Sequence, residues 1–177
     1  MRGRRGRPGF AVRLGIERDI EACVELVVAI GEGRAAAWWD TLTKTVADGV
    51  HRALFVAEAE GSVVGYGRVV YAAPPDAEPA AAPKGWYLLG LVVDEAWRRR
   101  GIGETLTTAR MGWVAQRADR VYYFTSRHNV ASQALHRRLG FVEYPGDWVP
   151  PGGSPRDAAT QRFYYADLRQ APDGGQG

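Results

Sequence analysis

The chain predicts a single domain of mixed α and β structure, and three observations carry that prediction. Strand-like and helix-like patterns alternate along its 177 residues, a length that suits one sizeable hydrophobic core. Trp86–Val93 is a nearly continuous apolar run, the profile of a strand buried on both faces. A helical pattern opens soon after it, at Gly101-Ile102-Gly103. With 46% hydrophobic and 24% charged residues, the composition is that of an ordinary globular protein, not of a disordered or membrane chain.

Each element has its own local reason. Phe10-Ala-Val12-Arg-Leu14 alternates as a half-buried strand does. From Ile16 to about Gly31, the residues Ile20, Cys23, Val24, Val27 and Val28 follow helical spacing, and Ala35–Asp48 puts Trp38, Leu42 and Val46 on one stripe. Ala53–Ala59 and Ser62–Tyr71 read as strands about a Glu60-Gly61 turn. Ala72–Lys84, rich in proline and alanine, is expected to be an extended loop. Trp86–Val93 is a strand, Gly103–Arg117 a helix and Arg120–Ser126 a strand. In Asn129–Phe141, Asn129 suits an N-cap, Leu135 and Leu139 share a face, and Gly140 is a stop signal. Val142–Tyr144 and Gln161–Leu168 close the series as strands. The loop between them, Pro145 to Thr160, is long enough to suggest a lid or binding loop. Residues 1–9 and 170–177 are expected to be disordered tails around a domain at 10–169.

The stretch Leu89–Gly103, LGLVVDEAWRRRGIG, carries the chemistry. Amides at a helix start lack internal partners and lie at the positive end of the helix dipole, so they suit phosphate. Glycines admit the ligand to the backbone, and Arg98, Arg99 and Arg100 add charge-assisted hydrogen bonds. A dinucleotide fingerprint would need glycine where Leu106 stands, and a P-loop would need a lysine that is absent. What remains is a site for another polyphosphate-containing ligand.

Arg98-x-x-Gly101-x-Gly103 after Leu91-Val92-Val93 resembles the acetyl-CoA signature of the GNAT superfamily of N-acetyltransferases. Asn129-x-x-Ser132-x-x-Leu135-His136-x-x-x-Gly140-Phe141 resembles that superfamily's pantetheine-side helix. The resemblance spans about residues 10–169 and implies a mixed, mostly antiparallel sheet of about seven strands. About four helices would flank it, and the sheet would splay between strands 4 and 5. It implies acetyl-CoA as co-substrate and no metal. The pantetheine would pair with backbone at Leu91 and Val93, and the pyrophosphate with amides from Arg99, Arg100, Gly101, Ile102, Gly103 and Glu104, with Arg98 beside them. Asn129, Ser132 and His136 would line the donor. The N–H of Val92 or Val93 would stabilise the oxyanion.

His136 stands where the superfamily often has a tyrosine acid, so it is the candidate general acid, with donor contact or a surface position as the alternatives. No carboxylate lies in Trp86–Val93, which favours a water-mediated base or an already neutral amine. Trp39 and Asp40, with Asp147 and Trp148 opposite, are the candidate acceptor wall, suited to a cationic small amine such as an amino sugar, polyamine or amino-acid derivative. Acetylation of a ribosomal protein or an N-terminus is the alternative, as is a regulatory module that binds acyl-CoA without catalysis.

Charge and cysteine bound the partners. Arg2, Arg4, Arg5 and Arg7 account for the net charge of +3, leaving the rest of the chain close to neutral. That short tail does not make nucleic acid an expected partner. No apolar segment follows it, and no run approaches the roughly 18 apolar residues of a membrane span. The single Cys23 fits a reducing cytoplasm. Homodimers are common in the superfamily, although no residue here specifies one.

Overall fold

The strands are β1 (Ala11–Leu14), β2 (Arg52–Ala59), β3 (Ser62–Ala72), β4 (Gly85–Val93), β5 (Arg120–Ser126), β6 (Val142–Glu143) and β7 (Gln161–Asp167). They form a seven-stranded sheet in the order β1-β2-β3-β4-β5-β7-β6. Pairing is mostly antiparallel, with β4 and β5 parallel. The helices are α1 (Ile20–Ala29), α2 (Ala35–Asp48), α3 (Ile102–Ala115), α4 (Val130–Arg138) and α5 (Pro155–Thr160). This computed structural model describes residues 9–73, 82–146, 148–151 and 154–169. The expected tails at 1–9, apart from Gly9, and at 170–177, with most of the Ala72–Lys84 loop, lie outside the described residues.

The expected mixed α/β fold with a seven-stranded sheet is present. One helix more than expected appears, because the late loop holds α5. Its start is capped by Ser154, whose N–H and hydroxyl both donate to the Asp157 carboxylate at 2.7 and 2.8 Å. The predicted first helix is divided: a 3-10 turn at Glu17–Asp19 precedes α1. The β4–β5 ladder pairs Trp86, Tyr87 and Leu88 with Val121, Tyr122 and Tyr123, while β4 itself runs on to Val93.

The chain packs as two compact units, one comprising the residues up to Arg68 with Gly90–Ala109, the other Val69–Leu89 with Arg110 onward. In the first, Ile20, Cys23, Val24 and Val27 of α1 and Leu42 of α2 bury against Leu54, Val56, Tyr66 and Val92. The α1 and α2 members are stripe residues read from the sequence; Trp38 and Val46 pack partly buried against them, whereas Val28, expected on the α1 stripe, is exposed. Arg13 on β1 bridges Asp19 and Glu58, each at 2.7 Å, which fixes the approach to α1. The second unit has an aromatic core in which Tyr87, Tyr122 and Phe163 stack, with Phe124, Tyr144 and Trp148 against them.

Candidate functional site

In the first unit, the end of β4 is shaped by two glycines. Gly90 has φ +56°, a left-handed kink inside a strand. Gly65 on β3 faces the backbone that follows. A Cβ at Gly65 would stand 3.0 Å from Val92 O and 3.4 Å from Val93 Cα, so a larger residue would press on the β4 backbone and require it to shift. The Asp94 N–H donates to Val64 O on β3 at 2.9 Å. Peptide groups alternate sides along a strand, so the Val92 peptide also turns toward β3, whereas those of Leu91 and Val93 turn away from it. Val92 is thereby corrected as an oxyanion donor, and the Val93 N–H keeps that candidacy. Asp94 Oδ1 accepts from Ala96 N–H at 2.8 Å, capping the turn that leads to the arginines.

The arginine loop is held from both sides. Arg98 Nε donates to Val93 O at 3.2 Å, and the Arg100 guanidinium lies 4.6 Å from the centre of the Trp97 ring. Arg99 and Gly101 are both left-handed, with φ +64° and +85°, which curls the chain into α3. Thr105 N–H bonds to Gly101 O as the helix begins, so the amides of Ile102 and Gly103 precede the intrahelical ladder. Ile102 is buried and anchors that first turn. The loop can therefore offer peptide N–H groups and guanidinium donors to a polyphosphate.

Of the acceptor-wall candidates, Trp39 and Asp40 lie in the first unit. Asp40 is 64% exposed and pairs with Lys44 at 2.7 Å one helical turn away, an ordinary surface ion pair. Trp39 is 48% exposed. Its neighbour Trp38 is the fixed one: its Nε1–H donates to Glu32 O at 2.6 Å, and the Arg68 guanidinium lies 5.3 Å from its ring centre. Trp148, in the second unit, packs at 4.8 Å ring separation on Phe163 and is corrected to an aromatic-core contact. Asp147 lies outside the described residues. Cys23 is buried, and burial pushes its thiol up to about 12, so it is no nucleophile.

The second unit holds the helix α4. Asn129 Oδ1 accepts from Ser132 N–H at 3.1 Å, the N-cap bond that its position predicts. At the other end Gly140 has φ +88°; Gly140 N–H returns to Arg137 O, and Phe141 N–H to His136 O. That pair of bonds is a Schellman stop.

Between these caps His136 is 1% exposed, its ring stacked on Tyr123 at 3.6 Å and edge-on to Phe141 at 5.1 Å. Its Nδ1 lies 2.8 Å from Ser132 O. A carbonyl only accepts, so Nδ1 carries the hydrogen and Nε2 is left as a lone pair. Nε2 is buried with no hydrogen-bond partner among the described residues. Burial pushes the imidazole down to about 4, against the Ser132 carbonyl's opposing pull. A neutral ring whose one N–H is already committed has no proton to donate at neutral pH, which corrects His136 as a general acid.

Sequence reasoning missed two features here. The Tyr123 hydroxyl is 2.8 Å from Ser132 Oγ, joining β5 to α4. Gln133 is buried, donating to Ser126 O and Arg127 O at 3.2 and 3.0 Å and accepting from the Tyr164 hydroxyl at 3.2 Å. A polar residue one position past the Asn-x-x-Ser signature is the signal for Gln133, and it is a faint one. Among the described residues no cluster of histidine, cysteine or carboxylate side chains could hold a metal ion, and no helix is long and apolar enough to cross a membrane.

The sequence model of the acetyltransferase (GNAT) family matches residues 21–141, more than half of the chain. A ribosomal-protein-alanine N-acetyltransferase from Brucella melitensis is similar in structure, with TM-score 0.66 at 23% identity, covering 89% of this chain and 99% of its own. A GNAT-family acetyltransferase from Staphylococcus aureus Mu50 gives TM-score 0.68 at 18% identity, with 90% and 99% covered. The PaiA N-acetyltransferase from Thermoplasma acidophilum, in complex with coenzyme A, gives 0.66 at 13% identity, with 89% and 98% covered. No curated protein sequence matches significantly. The chain belongs to the GNAT family of acetyltransferases.

Proposed function

We propose that this protein transfers the acetyl group of acetyl-CoA to the amino group of a small molecule. GNAT acetyltransferases use acetyl-CoA. One observation carries the donor half: the left-handed Arg99 and Gly101 turn the chain into α3 beside three arginines, and the amides of Ile102 and Gly103 open that helix. Arg98, Arg99, Arg100, Gly101, Ile102, Gly103 and Glu104 would hold the diphosphate, and the outward peptides of Leu91 and Val93 would pair with the pantetheine amides. Asn129 and Ser132 on α4 are assigned to the pantetheine arm through the family signature.

Acetyl-CoA supplies an activated thioester; the chain's residues orient it and manage protons. The Val93 N–H is the candidate donor to the oxyanion. His136 is a neutral packing group, so the departing thiolate is assigned a proton from solvent, balanced by the proton that the attacking amine gives up. The His136 ring stacks on that of Tyr123, whose hydroxyl meets Ser132, so the three residues hold α4 to β5. No carboxylate lies on β4, so an amine that arrives neutral, or one deprotonated through water, fits best.

The α1–α2 connection, tied down by the Trp38–Glu32 bond, supports a small acceptor meeting a fixed wall. A second reading, a protein N-terminus, is favoured by the similar ribosomal-protein-alanine N-acetyltransferase. Thiol release from acetyl-CoA with a panel of small amines and peptides decides. Turnover with small amines is expected, and turnover with peptides alone would establish the second reading. Binding of acetyl-CoA without turnover of any acceptor would identify a regulatory module.

A further inference from the structure

We propose that the acceptor carries an acidic group, a carboxylate or phosphonate, beside its amine, and that Arg68 reads it. The inference rests on the donor reading above, in which the thioester lies along Leu91–Val93. The acceptor amine must reach that thioester, so the rest of a small acceptor lies within a few ångströms of the same stretch of β4.

Arg68 stands there. A Cβ at Gly90, the residue before Leu91, would be 3.4 Å from Arg68 Nε and 3.7 Å from Nη2. The cation thus lies against the left-handed kink from which the thioester segment departs. The Trp38 ring, itself tied to Glu32 O, is 5.3 Å from the same guanidinium and fixes its orientation. Two residues earlier, on the same face of β3, Tyr66 is fully buried, and its hydroxyl has no hydrogen-bond partner among the described residues.

Arg68 is only half-buried, so a ligand can reach it, while burial disfavours its charged form and pushes its pKa down. An arginine remains charged at neutral pH all the same, and a poorly hydrated guanidinium gains more from an anion than a solvated one does. Its five N–H donors form a fork, so contacts along one edge are compatible with both oxygens of an acid group along another. On the α2 side the acidic candidate Asp40 is instead paired with Lys44 in solvent. A fixed cation beside the thioester favours an amino-acid-like acceptor and repels a polyamine.

The test measures kcat and KM of the full chain for three acceptors: an amino acid, its carboxamide and a polyamine, with acetyl-CoA affinity followed by calorimetry. We expect kcat/KM for the amino acid to exceed that for its amide at least tenfold. Arg68→Gln should erase that ratio through KM, leaving kcat and acetyl-CoA affinity close to wild type, and Arg68→Lys should restore part of it. Equal use of acid and amide, preference for the polyamine, or an acid preference that survives both Arg68→Gln and Arg68→Ala would overturn the proposal. Failure of the wild type to bind acetyl-CoA would overturn the donor reading instead.

Discussion

The β4–α3 segment and helix α4 both carry family signatures, yet they use their residues differently. In Leu91–Gly103 the chain is shaped by left-handed Gly90, Arg99 and Gly101 and by the close approach at Gly65, and the groups proposed to work there are peptide N–H groups. In Asn129–Phe141 the backbone caps are equally regular, but the central residue of the signature, His136, is packed away and neutral. A spacing pattern specifies where the chain turns. It does not specify what a side chain on the resulting helix will touch, because that depends on a strand distant in sequence.

The contrast can be broken most forcefully at His136. Its folded-state pKa of about 4 is below the ordinary 6.5, so between those values the unfolded chain binds more protons than the folded one. The stability this contributes is complete above about pH 6.5 and is lost as pH falls toward 4, amounting to about 3 kcal/mol. Urea unfolding across that window is expected to show the loss in wild type and a shallower slope in His136→Phe. Equal slopes would mean that the imidazole is solvated and available for acid chemistry after all.

A smaller effect is expected at Tyr123. Tyr123→Phe keeps the ring that stacks on His136 and removes only the hydroxyl bonded to Ser132. Urea unfolding should show stability reduced by about 1 kcal/mol, the net worth of one hydrogen bond. Acetyl-CoA affinity should hold. Unchanged stability would mean that the hydroxyl pair adds nothing to holding α4 on β5.

The smallest effect is expected at Asp40, an exposed ion-pair partner. Asp40→Ala should change stability by less than about 1 kcal/mol and leave acceptor kcat/KM unaltered. A selective loss with one acceptor would return Asp40 to the binding wall.

What was legible in the sequence follows the same division. The limits of α2, Ala35–Asp48, and of β5, Arg120–Ser126, match their expected ranges, since apolar periodicity encodes both. Asn129 and Gly140 cap α4 as their residue types predict. The α5 helix was hidden because six residues give too little periodicity to separate from a proline- and glycine-rich loop. Gly65 carried no local signal, since its reason is the Val92 carbonyl on another strand. Arg68 was obscure for the same cause, since its contact with Trp38 joins β3 to α2, whereas the helical stripe already set Trp38 apart from Trp39.

The most direct test is a calorimetric titration of acetyl-CoA into the wild type, Gly101→Val and His136→Phe. A branched residue forced to φ +85° is strained by about 1–3 kcal/mol, although nothing crowds its Cβ. Gly101→Val is therefore expected to weaken binding by tenfold or more while His136→Phe stays within about twofold of wild type. Unimpaired binding by Gly101→Val, together with a large loss in His136→Phe, would contradict a donor site built from the backbone of the β4–α3 segment.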